Sequence, residues 1–235
     1  MNEARPPLRT PAELAAVDAP AWPSLWVALT GARVPVRVLD VDPGAAESEL
    51  HLLQVDAGTV LGALVLHTGG LLVDHGWVRV LGGGAQGLPG VAGASGLLQP
   101  GAAPPWLVVG YDVVGGRFAI AGQGAPAPVG EVCYWGPDTL RWDSLGVGHR
   151  AFVLAAVDGA LADLYEPYRW PGWQDDVSAL TPGQGLALYP PPFTRDGQDP
   201  SCVARRTVAF PDLLAFYDDM AAQLASGPEP DGGED

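Results

Sequence analysis

Three groups of residues have the types and spacing to do chemistry. The first is Asp74-His75 with His67, in and just before the string TGGLLVDHGW (68–77). A carboxylate with two imidazoles could hold a divalent metal or run acid–base chemistry. The second is Asp112, followed by Gly115-Gly116. As a catalytic base it would need an activated partner such as His149. As a structural group it would anchor a turn by accepting backbone N–H bonds, the glycines allowing positive φ. The third is the set Trp135, Trp142, Trp170 and Trp173 with Arg141 and Arg169. Aromatic and arginine side chains dominate binding hot spots, and they equally pack helices onto a sheet.

The elements around the first group decide between its readings. From Val60 to Gly84 two apolar runs flank Gly69-Gly70, the composition of a two-residue hairpin turn. That turn would set Val65 opposite Asp74, Leu64 opposite His75 and Gly62 opposite Trp77. Alternation then places His75 and Trp77 on one face and His67 and Asp74 on the other. The three polar groups cannot share one ion in that register, so a core histidine holding an aspartate is preferred and no metal is expected. Asp74, His75 and Trp77 nevertheless stay as candidate binding residues, with Asp112, Trp135, Arg169, Trp170 and Trp173. For Asp112 the turn-anchoring reading is preferred over catalysis.

Other motifs exclude more than they offer. Gly82-x-Gly84-x-x-Gly87 matches a dinucleotide fingerprint by its letters, but Pro89 and further glycines follow where a helix must begin. A nucleophile elbow Gly-x-Ser-x-Gly, a His-Glu-x-x-His helix and a Cys-x-x-Cys pair are all missing. No cofactor is expected.

Around the hairpin the chain alternates short elements with Gly/Pro punctuation. Helices are expected over Pro11–Val17 and Pro23–Thr30, the latter closed by Gly31, with Trp22 and Trp26 sharing the face that docks. A strand is expected over Val34–Leu39 and a helix over Ala45–Gln54. Residues 82–105 read as a long loop with one helical turn. Strands follow over Trp106–Tyr111, Phe118–Ala121, Glu131–Trp135 and Leu140–Ser144. Helices come next over Arg150–Val157, Ala160–Tyr165 and Trp173–Leu180. Leu186–Tyr189 is an edge strand stopped by prolines, and Pro211 opens a last helix. Strands in the middle and helices towards the ends make a single α+β domain with a central, mainly antiparallel sheet and helices packed around it. It spans 11–226, between a loose segment 1–10 and a disordered acidic tail 227–235.

Composition sets the outer limits. The 235 residues include 27 acidic and 12 basic ones, a net charge of −15, and every basic residue is arginine. Such a chain is a poor ligand for polyanions, so nucleic acid is excluded as partner, whereas a basic protein would be drawn in. No apolar run is long enough to cross a bilayer, and the N-terminus lacks a signal-peptide core. The expectation is a cytoplasmic protein with Cys133 and Cys202 as buried free thiols.

The strings TGGLLVDHGWVRVLGGG (68–84), LVVGYDVVGGRFAI (107–120), GEVCYWGPDTLRWDSLG (130–146) and YRWPGW (168–173) resemble the bacterial domain-of-unknown-function family 2625, from about Leu25 to Leu224. That resemblance implies no particular activity. More weakly, the middle of the chain resembles the SUKH superfamily, whose members are mainly non-catalytic binding proteins, many of them toxin immunity proteins. Arg117 departs from the expected pattern, standing where a large apolar or aromatic residue belongs, and Ala121-Gly122 replaces Asn-Gly. Together these readings favour a non-enzymatic protein-binding module, immunity-like, with a basic, toxin-like protein as partner. The alternative is a small enzyme or ligand-binding protein using Asp74, His75 and Asp112.

Overall fold

The segment expected to be the central hairpin divides into a helix and a strand. Thr59 caps a helix whose first free donors include the Gly62 N–H, which reaches the threonine hydroxyl at 3.0 Å. The apolar run behind the cap therefore coils, over Val60–His67, and is buried almost all round. A short apolar run cannot be told from a strand by periodicity alone; here the threonine cap decides. Gly62 also sits against the Asp56 carbonyl, where a Cβ would collide. Gly69-Gly70 is not a turn. Thr68 donates back to the Leu64 carbonyl (2.8 Å), the Gly69 N–H bonds Leu39, and a strand starts at Gly70.

The computed structural model describes residues 7–85 and 87–226. In chain order the elements are α1 (Pro11–Ala15), α2 (Trp22–Thr30), β1 (Val36–Leu39), α3 (Pro43–Leu53), α4 (Val60–His67), β2 (Gly70–Val73), β3 (Val78–Leu81) and α5 (Val91–Ala94). Then come β4 (Trp106–Asp112), β5 (Arg117–Ala121), β6 (Glu131–Trp135), β7 (Trp142–Gly148), α6 (His149–Val157), α7 (Ala160–Tyr165) and α8 (Trp173–Ser178). The described chain closes with β8 (Gln184–Tyr189), β9 (Ala204–Ala209) and α9 (Phe210–Ala225). The acidic tail 227–235 and residues 1–6 of the N-terminal segment lie outside the described residues. Arg9, within that segment, is tied to Asp56 and to Gln54.

β1 to β7 form one antiparallel sheet in chain order, and β8–β9 a separate two-stranded one. The fold is a single α+β domain, as expected. Directly paired residues share a face, so two rows run across the large sheet. One row is Arg37, Leu72, Arg79, Tyr111, Arg117, Trp135 and Trp142. The opposite face carries Leu71, Val80, Gly110, Phe118 and Tyr134, with Val73, Val78 and Asp112 beside them. Helices cover this second face, as Phe152 of α6 on Phe118 (4.7 Å) and Tyr165 of α7 on Trp77 (5.6 Å) show. The first face lies under β8, β9 and α9, with Phe210 on Tyr111 (5.0 Å) and Tyr217 on Trp135 (6.1 Å).

Smaller expectations shifted as well. β9 was not foreseen, because ARRTVA is mostly exposed and shows no apolar alternation. Of Trp22 and Trp26 only the first docks, stacking on His67 at 4.6 Å, while Trp26 stays 46% exposed. Both cysteines are free, but Cys202 is exposed and only Cys133 is buried.

Candidate functional site

β2 and β3 are joined through Asp74, His75 and Gly76, three consecutive residues in the left-handed region (φ 52°, 60° and 92°). Asp74 and His75 take that conformation at a steric cost that glycine escapes. The outcome is a sharp turn that throws Asp74 sideways and leaves His75 exposed. Asp74 is therefore not a carboxylate between strands, and the histidine expected to hold it does not. Its partner is Arg169, whose Nη2 donates to Oδ2, both side chains being nearly buried.

Arg169 lies between two indoles, 4.0 Å from the Trp173 ring centroid and 5.0 Å from that of Trp77. Trp77 meets Trp173 at 5.2 Å and Trp170 at 5.6 Å. His75 stands edge-on to Trp173 at 5.6 Å and faces the Ser178 hydroxyl at 3.4 Å. Trp170 donates its indole N–H to Asp176 at 2.7 Å and is covered by Arg205 (4.7 Å). Six residues singled out in the sequence thus meet in one cluster: Asp74, His75, Trp77, Arg169, Trp170 and Trp173. A planar guanidinium is attracted to indole faces and to a carboxylate at once, so the cluster fixes YRWPGW onto the β2–β3 turn.

Asp112 adjoins this cluster through Tyr165, which packs on Trp77. It is fully buried. Its Oδ1 accepts the Val114 and Gly116 N–H groups (3.0 and 2.8 Å), and Oδ2 accepts the Tyr134 and Tyr165 hydroxyls (2.6 and 3.0 Å). Burial pushes its pKa above the ordinary carboxylate value, while the four donors pull it back. Burial and the neighbouring Asp112 charge hold both tyrosines well above their usual range, so they remain donors. Gly115 (φ 101°) closes the turn against Tyr217, where a Cβ would lie 2.7 Å from the ring. Asp112 anchors a turn, as preferred, and His149 is not among its partners. Burial pushes His149 down to about 4, with neither ring nitrogen hydrogen-bonded.

Trp135 belongs elsewhere, on the opposite face with Tyr217 and Arg117. Arg117 fills its expected apolar position by stacking on Trp135 (5.0 Å) while its tip bonds Asp218 (2.8 Å) and the Leu214 carbonyl (3.1 Å). Among the described residues no group of three or more His, Cys, Asp or Glu side chains is placed to hold a metal ion. Nor is any described helix long and apolar enough to cross a membrane.

Residues 12–213 match the family described as "Protein of unknown function DUF2625". The chain belongs to the DUF2625 family. An uncharacterized protein of Haemophilus influenzae is 30% identical over 193 residues, covering 80% of this chain and 84% of its own length. The putative uncharacterized protein YbfG of Escherichia coli K12 is 36% identical over 170 residues, covering 72% and 79% respectively. No solved structure matches. The span shared with the DUF2625 family runs from α1 into α9, so it includes the whole large sheet and the Asp74–Arg169 cluster.

One residue of this DUF2625 chain escaped the sequence reading. Arg79 is 2% exposed, beneath the Phe210 ring (5.1 Å), and its Nη2 donates to the Gln184 carbonyl at 2.7 Å. Burial lowers its pKa to about 10, which leaves it cationic at neutral pH. A signal was present: β1 and β3 are both the string VRVL, each with one arginine among apolar neighbours.

Proposed function

We propose that this protein is a non-catalytic binding module that engages a basic protein through its acidic surface. The observation that carries the reading is how the arginines are used. Among the described residues, six arginines form ion pairs with aspartates of the same chain, at Asp56, Asp158, Asp218, Asp143, Asp74 and Asp176. Arg79 is buried as well. Those six positive charges are each matched by an aspartate, and exposed carboxylates such as Asp175, Asp212 and Asp219 add to the outer field. The interior carboxylates support the same reading, because Asp112 and Asp74 are held by fixed donors and act as struts. The weaker SUKH resemblance makes an immunity-like role, against a basic toxin, the natural form of such binding.

Charge of this kind governs the speed of encounter, raising association rates from about 10⁵–10⁶ to roughly 10⁸ M⁻¹s⁻¹ at low salt. The test is a pull-down from the native cell in roughly 50 mM salt and again in roughly 300 mM, where screening confines the field to well under about 10 Å. A basic partner retained only at low salt, and bound more slowly by the triple variant Asp175→Asn, Asp212→Asn, Asp219→Asn, supports the proposal. Retention of no protein at either salt, or of one whose association ignores both salt and the variant, overturns it.

A further inference from the structure

Between β1, the β2–β3 turn and α8 lies a cleft of about 220 Å³. Its lining includes Arg37, Leu72, His75, Arg79, Val177 and Ser178. Drug-sized ligands occupy roughly 300–1,000 Å³, so this volume suits a small molecule or the head of a larger one. Its charge is the opposite of the protein's. The chain carries −15 overall, yet among the described residues lining the cleft none is acidic, and those that can carry charge are Arg37, Arg79 and His75.

We propose that this cleft binds the oxyanion of a small molecule, a phosphoryl or carboxylate group, on Arg79 with Arg37 at its mouth. A guanidinium has five N–H donors in a rigid fork matched to such groups. In Arg79 only Nη2 has a hydrogen-bond partner; Nε and Nη1 are buried without one. A buried cation is tolerated when it is paired. Asp112, the acidic group whose charge Arg79 feels, lies on the opposite face of the sheet with both oxygens engaged by other donors. It cannot turn to meet the arginine. The sheet register brings in the second cation. Arg37 and Arg79 both pair with Leu72 from either side, so they share a face two strands apart, about 10 Å between backbones. Long side chains close that gap easily. The Ser178 hydroxyl and the exposed His75 ring, 3.4 Å apart, add polar groups at the rim. This site is independent of the acidic surface invoked for partner binding, and either can fail alone.

The test titrates the full-length protein with inorganic phosphate and, separately, with acetate, chloride holding the ionic strength constant. The readout is the Nε–H resonance of Arg79 in ¹⁵N-labelled protein. The expected result is a saturable shift with at least one anion, and a several-fold weaker affinity in Arg37→Gln, whose exposed position leaves folding intact. Saturation by phosphate alone identifies a phosphoryl ligand; saturation by acetate identifies a carboxylate. No saturable shift beyond the chloride control, or an affinity unchanged in Arg37→Gln, overturns the proposal.

Discussion

Replacing Asp112 by alanine removes the acceptor of four hydrogen bonds at once. The donors left behind are the N–H groups of Val114 and Gly116 and the hydroxyls of Tyr134 and Tyr165. A buried donor without a partner costs about 1–3 kcal/mol. The two hydroxyls share Oδ2 and can turn towards each other, so part of their loss is recovered. The two amides cannot move, because the turn they close is wedged against Tyr217. The expected destabilisation by Asp112→Ala is therefore at least about 3 kcal/mol, a large share of the roughly 5–15 kcal/mol that holds a domain together. Asp112→Asn keeps an oxygen for the two amides and removes a charge that burial disfavours, but sets an NH2 where Oδ2 accepted the two hydroxyls, so it should cost less than alanine, about 2 kcal/mol. Tyr165→Phe deletes one donor and should cost about 1–2 kcal/mol. Urea unfolding at pH 7, followed by tryptophan fluorescence, measures all three. Alanine within about 1 kcal/mol of wild type at unchanged denaturant slope would refute the turn-anchor account.

The Asp74–Arg169 pair is testable by a double-mutant cycle. Asp74→Asn keeps a side chain that tolerates the left-handed turn but strands a nearly buried guanidinium; it should cost about 2 kcal/mol, and adding Arg169→Met should cost far less than its effect alone. Additive losses would show that the pair does not act as a unit. His149 sets an acid limit. Burial lowers it from 6.5 to about 4, so it folds neutral, while the unfolded chain takes a proton below about pH 6.5. Its contribution is complete above that pH and is lost as the pH falls towards 4, at most about 3 kcal/mol. Urea midpoints at pH 7 and pH 5 should diverge in wild type and much less in His149→Phe; equal divergence would remove His149 as the cause.

Local signals were strong enough to place most elements. Glu131–Trp135 and Ala160–Tyr165 have in the structure the ends their sequences suggest. Both are short segments bounded by turn residues, and nothing in the tertiary structure competes with them. Val60–His67 shows the opposite case. Its residues up to Leu66 are apolar on every side, and Val60 to Val65 are all buried, so burial on all faces satisfies a helix and a central strand equally. The deciding contact is local but not periodic: one threonine hydroxyl on one backbone N–H. The hairpin did exist, one element later, with its turn at Asp74-His75-Gly76 instead of Gly69-Gly70. Two glycines reach positive φ without steric cost. Here Asp74 and His75 reach it because the first is held by Arg169, 95 residues away, and no local rule contains that partner.

The same non-locality governs the site. Arg169, Trp170 and Trp173 were legible as a chemical type, aromatic and cationic, and the fold brings them together with Trp77 and Asp74. Arg79 was illegible for a more general reason. Alternation in VRVL puts the arginine on the face away from the valines, and in a sheet with one wet side that face is solvent. This sheet has no wet side near β3, because β8 and α9 fold back from far along the chain and cover it. The alternation correctly separated the two faces but could not say that the second was also roofed. A cation placed for water is thereby enclosed, keeps one hydrogen bond, and borders a cleft that opens beside the turn. What makes Arg79 a candidate for ligand binding is thus the late-arriving layer above it, and the strand sequence alone describes only an ordinary surface arginine.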